Sequence, residues 1–126
     1  MREELEDAAN EVHNELGPNW SESIYHRALE HELSERGIPL HSEVTLSVMY
    51  KGAAVGRRRP DLILTDGDMN IVVELKAGSN SGRSQLEEYI QIIEDDENYQ
   101  YLRGGAVIRF NEECEFEFIE LGPKSN

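Results

Sequence analysis

Between Arg57 and Gly78 the chain reads "RRRPDLILTDGDMNIVVELKAG", two apolar runs around a tight turn with Asp61, Glu74 and Lys76 set into them. Two acids and an amine can act together only if they share a face, and the turn decides that. Asp66-Gly67 and Gly67-Asp68 are both good two-residue hairpin loops. With the first, Asp61 pairs opposite Val72 and Glu74 stands two residues further along. With the second, Asp61 lies directly opposite Glu74. Cross-strand partners share a face and side chains repeat with period two, so either register gathers both carboxylates, with Lys76 beside them. A three-residue loop would reverse this.

Directly opposed residues have Cβ atoms about 5 Å apart, diagonal ones about 7–8 Å. Carboxylates at that range repel unless a positive charge lies between them. Mg²⁺, which takes oxygen ligands at about 2.1 Å and keeps several waters, needs no more than one or two of them. Such a cation acidifies water, and a neighbouring ammonium can orient it. Asp61, Glu74 and Lys76 therefore fit metal-assisted hydrolysis of a phosphodiester, with Mg²⁺, or Mn²⁺ in its place, as cofactor. If the strand stays regular, Arg57 and Arg59 extend the same face and could hold phosphate in bidentate fashion. The alternative is a solvated strand start, with the three arginines paired to nearby acids.

These residues need elements to position them. Leu5, Ala8, Ala9, Val12 and Leu16 recur at helical spacing, predicting a helix over 3–16 that Gly17 and Pro18 end. A second helix follows, with Asn19 as cap, Glu22 three residues later as in a capping box, and Trp20, Ile24, Tyr25, Ala28, Leu29 and Leu33 as its apolar stripe. "SEVTLSVMYKG" alternates as a strand does. After the hairpin, Ser84 and Glu87 form another capping box ahead of Leu86, Tyr89, Ile90 and Ile93. "GAVIRF" and "EFEFIEL" close the chain as strands around a turn at Asn111–Glu113, and "GPKSN" reads as a frayed tail. The predicted order is ααβββαββ, a mixed central sheet flanked by helices in one α/β domain over 1–126.

Composition narrows the partners. Twelve basic against 26 acidic residues leave a net charge of −14, which argues against non-specific adhesion to nucleic acid or anionic membranes. It fits a protein built for concentrated salt, where charges are screened within about 3 Å at 1 M. The expected result is a melting temperature that rises with KCl; a falling one would rule the halophilic reading out. Cys114 is the single cysteine, so no internal disulfide forms. The N-terminus lacks the apolar core of a signal peptide, and no run approaches the ~18 apolar residues of a membrane span. A cytoplasmic location without membrane association is expected.

Pro60-Asp61, twelve intervening residues and Glu74-Leu75-Lys76 resemble the signature of the PD-(D/E)XK phosphodiesterases, with a restriction-endonuclease-like core. The chain is most similar to small members named for a GxxExxR motif, through "LGPNWSESIYHRALEHELSERG", "VMYKG", "RRPDLIL", "VVELKAG" and "QLEEY". Asn19 stands where that motif has its first glycine, and Tyr25 where it has arginine, removing a phosphate contact. The resemblance implies a nuclease whose metal is ligated by Asp61, Glu74 and the Leu75 carbonyl, with Lys76 acting on the attacking water. Glu22 would reach the metal directly or through water. Gln85 and Tyr89 resemble the Q-x-x-x-Y element that places the substrate strand beside the site. The substrate implied is nucleic acid, DNA first, and a homodimer would suit cutting of both duplex strands. The competing reading is a non-catalytic nuclease-fold module that binds a protein or nucleic-acid partner.

Each residue also has a plainer reading. Glu22 could simply complete the capping box, and Tyr89 could be a core tyrosine with a satisfied hydroxyl. Glu32 falls inside the apolar arc with no chemistry to do. His13, His26, His31 and His41 lack zinc-ligand spacing and read as surface residues. Trp20 reads as a staple into the core, and Cys114 has no neighbouring base.

Overall fold

A computed structural model describes residues 2–66, 69–78, 81–94 and 102–121. The elements run α1 (Arg2–Leu16), α2 (Glu22–Glu35), β1 (Leu40–Ser42), β2 (Leu46–Tyr50), β3 (Ala53–Arg58), β4 (Leu62–Asp66), β5 (Met69–Lys76), α3 (Arg83–Glu94), β6 (Leu102–Phe110) and β7 (Cys114–Glu120). Five strands form one sheet in the order β1-β4-β5-β6-β7. β5 and β6 are parallel and the other neighbours antiparallel. A parallel pair needs a crossover, and α3 supplies it.

The unbroken apolar runs "LIL" and "IVV" suit strands covered on both faces. Leu62, Leu64, Ile71, Val73 and Leu75 turn toward α1 and α2. Ile63, Val72 and Val107 turn the other way, onto Leu86, Ile90 and Ile93 of α3. The result is the mixed α/β sheet flanked by helices that the sequence predicts. Between α2 and α3, five strands stand where three were expected. The extra ones are the three-residue β1 and β3, whose "AAVGRR" lacks apolar alternation. β2 and β3 pair as a separate two-stranded sheet with an irregular register at Val48/Met49.

The helices bury the predicted stripes with corrections at their starts. The cap of α2 is Ser21, whose hydroxyl accepts the Ile24 N–H at 3.4 Å, and Glu22 is the first helical residue. Asn19 cannot cap because it has φ 76, turning the chain after Gly17-Pro18 in the left-handed region that asparagine tolerates. Trp20 and Ile24 leave the stripe and are exposed. Tyr25 is fully buried, stacked on Phe110 at 4.4 Å, and its hydroxyl donates to the Gly17 carbonyl at 2.6 Å. Glu32 resolves as the partner of Arg36 at 2.8 Å. α3 begins at Arg83 rather than after Ser84; the Gly82 carbonyl accepts the Leu86 N–H at 3.1 Å, and Glu87 pairs with Arg83.

Gly105 lets α3 lie close on β6. A Cβ there would fall 2.8 Å from Leu86 Cδ1 and 3.0 Å from Ile90 Cδ1. The predicted tail after Leu121 lies outside the described residues, as does the acidic run after Glu94. Among the described residues no helix is long and apolar enough to cross a membrane.

Candidate active site

The β4–β5 ladder pairs Leu62 with Val73, Ile63 with Val72 and Asp66 with Met69. Gly67 and Asp68, outside the described residues, are the two between Asp66 and Met69. Of the two predicted registers this is the second, and its next rung sets Asp61 against Glu74. By parity with Ile63 and Val72, both acids belong to the α3 face. β4 starts only at Leu62, so no regular rung satisfies the Leu75 amide on that side. The Asp61 carboxylate does so instead, accepting the Leu75 N–H through Oδ2 at 2.7 Å. This bond fixes one oxygen of Asp61 at the ladder's end, next to Glu74.

Glu74 is 5 % exposed, and its Oε2 is buried with no hydrogen-bond partner. Burial pushes its pKa up to about 8, and the Asp61 carboxylate adds to the rise through hydrogen bonding and charge. The Tyr89 hydroxyl and the Lys76 charge oppose it. Tyr89 itself is raised, first by burial and then by Glu74. A buried carboxylate oxygen with nothing to accept, facing a second carboxylate, is the hard-oxygen environment that suits Mg²⁺ or Mn²⁺. The donor set therefore fits a divalent cation. It is a spare set: among the described residues no three of His, Cys, Asp and Glu are gathered to hold a metal by themselves. Two carboxylates, a backbone carbonyl and waters meet the need of Mg²⁺.

The remaining predicted residues distribute unevenly. Glu22, at the start of α2, accepts the Ala77 N–H through Oε1 at 3.1 Å and so ties the helix to the end of β5. Tyr89 is 6 % exposed and its hydroxyl donates to the Arg59 carbonyl at 3.4 Å, while Gln85 is half-buried one turn earlier on α3. The parity argument for Arg57 and Arg59 fails, because β3 ends at Arg58 in the smaller sheet and the chain changes sheets at Pro60. Both arginines are exposed, and Arg58 pairs with Glu88 of α3 at 3.1 Å. The Cys114 thiol is pushed up to about 11 by burial and by the Glu6 and Glu115 charges, which keeps it inert as a nucleophile.

Two residues near the site escape the sequence reading. His26 Nδ1 lies 3.7 Å from Asp61 Oδ1, and its Nε2 contacts Glu30 at 3.1 Å and Ser42 at 3.2 Å. It follows Glu22 by four residues, one helical turn, which was the available signal. Arg109 stands beside Lys76 in the parallel ladder, holding Glu117 at 2.7 Å and the Ser81 carbonyl at 2.8 Å. Arg83 joins the same Glu117, so the start of α3 is clamped to β6 and β7.

Gly82 sets the room around Lys76. Its φ is +75, and a Cβ there would fall 2.9 Å from Lys76 Cγ and 3.5 Å from Glu74 Cγ. Gly82→Ala is expected to cost more stability than Gly17→Ala, where φ is also +75 but nothing lies within 4 Å. Backbone strain of about 1–2 kcal/mol is common to both, so the excess in a denaturant melt reads the crowding of Lys76 and of Val107, whose Cγ1 would lie 3.2 Å away. Equal losses would mean that both side chains yield freely.

A family model described as the PD-(D/E)XK nuclease superfamily matches residues 1–120. No curated protein matches the chain. Solved structures do resemble it, among them "Crystal structure of SSO0001", with a TM-score of 0.57 and 21% identity over 82% of this chain and 52% of that one. The chain thus spans about half the length of that relative, and the likeness is one of fold.

Proposed function

Because the chain belongs to the PD-(D/E)XK nuclease superfamily, we propose that it is a divalent-metal-dependent phosphodiesterase that hydrolyses nucleic acid, DNA first, and lies nearest the GxxExxR-motif members. The observation that carries this reading is the buried, unpartnered Oε2 of Glu74, next to Asp61 and with Lys76 two residues on.

Asp61, Glu74 and the Leu75 carbonyl would hold Mg²⁺ or Mn²⁺. The cation when bound would supply Lewis-acid polarisation of the phosphate and a nucleophilic water at neutral pH. The Lys76 ammonium orients the attacking water and offsets charge that builds on the phosphate. Glu22, with one oxygen tied to Ala77, acts through water with the other. Gln85 and Tyr89 align the strand, with Tyr89 beside Glu74. Arg57 and Arg59 are exposed cations for phosphates at a distance from the cut. They matter because a net charge of −14 opposes phosphate binding over the chain as a whole. A symmetric dimer would offer one site to each strand of a duplex.

The test pairs Mn²⁺ calorimetry with cleavage assays on single-stranded, duplex and branched DNA and on RNA, in low and molar KCl. Cleavage is expected with Mg²⁺ or Mn²⁺ and is abolished in Asp61→Ala and Glu74→Ala, with the Mn²⁺ isotherm lost in Glu74→Ala. An identical isotherm for wild type and Glu74→Ala would remove the enzyme reading and leave the non-catalytic nuclease-fold module.

A further inference from the structure

We propose that the pocket outside the carboxyl ends of β5 and β6 holds a nucleobase of an unpaired strand, with the exposed Trp20 as its stacking wall. The inference rests on the nuclease reading and deepens it by naming the form of substrate.

The pocket has a volume of about 640 Å³ and is lined by Trp20, Asn19, Ala77, Phe110 and Asn111 among others. That is within the roughly 300–1,000 Å³ of small-molecule sites. In open α/β sheets ligands bind beyond the carboxyl ends of parallel strands. β5 and β6 are the parallel pair here, and Ala77 and Asn111 directly follow their last residues.

Trp20 is 48 % exposed, yet it is held in place rather than left loose. Its indole N–H donates to the Leu16 carbonyl at 2.7 Å, and its backbone N–H to the Tyr25 hydroxyl at 3.3 Å. Tyr25 in turn is stacked on Phe110 with the rings within 5° of parallel. A large aromatic surface fixed at a pocket wall is a preorganised platform for a flat ring. Asn111 Oδ1 accepts the Gly78 N–H at 2.9 Å, so its amide N–H₂ is the part of the side chain left to donate.

Charge identifies which part of a nucleotide enters. Among the described lining residues the one charged group is Glu22, an acid that repels phosphate. A neutral planar base meets no such penalty. Glu22 also bonds Ala77, the residue after Lys76, so the pocket opens beside the end of the strand that carries the proposed chemistry. A base reaches a concave site of this kind only when it is out of the duplex stack, so the occupied strand is unpaired.

Trp20 is the chain's single tryptophan, so its emission reports this wall alone. Oligothymidine is titrated into the full chain with EDTA, so that nothing is cut, and a duplex of equal length is the comparison. The expected result is a saturable emission change with the single strand, at least about tenfold weaker with the duplex, in line with stacking onto one aromatic. Anisotropy of a labelled oligothymidine should show binding about tenfold weaker in Trp20→Ala and within about threefold of wild type in Trp20→Phe. No emission change at saturation, equal response to the duplex, or unweakened binding by Trp20→Ala would each overturn the proposal. Mn²⁺ calorimetry on Trp20→Ala separates the two ideas. Intact metal binding with lost strand binding supports the pocket, whereas a strand response in a protein that cuts no substrate would end the nuclease reading alone.

Discussion

A Lys76→Ala variant is expected to take up Mn²⁺ at least as tightly as wild type and to cleave at least about 100-fold more slowly, the range typical of a lost positioned acid–base group. The two halves of this result come from one geometry. Lys76 stands two residues from Glu74 on β5, and its charge acts to lower the Glu74 pKa. It therefore competes with a cation for the same carboxylate, and removing it cannot weaken metal uptake by taking away a ligand. What the variant loses, on the proposed reading, is the ammonium that orients the attacking water. Calorimetry and single-turnover cleavage at saturating Mn²⁺ measure the two separately. Parallel losses in both would show that Lys76 organises the carboxylates, and unchanged cleavage would remove it from the chemistry.

Glu74→Gln is expected to stabilise the metal-free protein above pH 8 by about 1–3 kcal/mol, the scale for a buried polar group without a partner. The sign follows from the raised pKa. Unfolded, the carboxyl titrates near its ordinary 4.5; folded, near about 8. Between those values the folded state binds more protons, so Glu74 contributes declining stability as pH rises through that window. The penalty is absent below the lower value and complete above the upper one. Glutamine carries no charge to bury and abolishes this slope. Mn²⁺ should reverse the order, stabilising wild type by about 2.7 kcal/mol at a hundredfold excess over Kd and the variant far less. Melts at pH 5, 7 and 9, with and without Mn²⁺, measure all of this. A variant less stable than wild type at pH 9 without metal would show that Glu74 is satisfied as it stands.

The central hairpin was legible because its signals are local. "DGD" limits the turn to a few registers, and period two assigns faces within each. The sequence could not choose between the two, since Asp66-Gly67 and Gly67-Asp68 are equally good loops. The face of Arg57 and Arg59 was lost for the opposite reason: parity holds only within one strand, and Pro60 marks a change of sheet. Asn19 and Ser21 are both competent caps, and the conformation needed after Gly17-Pro18 decided between them. Trp20 fits the buried stripe by helical spacing, but it precedes the helix and never joins its face. His26 reads as a surface residue in the sequence because its partner Asp61 is distant in the chain and meets it only after folding.

The bare backbone at Gly105 couples the interior to the chemistry. Leu86 and Ile90 rest against it, and Tyr89 rides on the same helix over Glu74. An added methyl at that point would press on the tips of Leu86 and Ile90, the side chains that seat the helix carrying Tyr89. The height of that helix over Glu74 is thus set from behind, by the spacing between layers, as well as by the acids and the amine themselves.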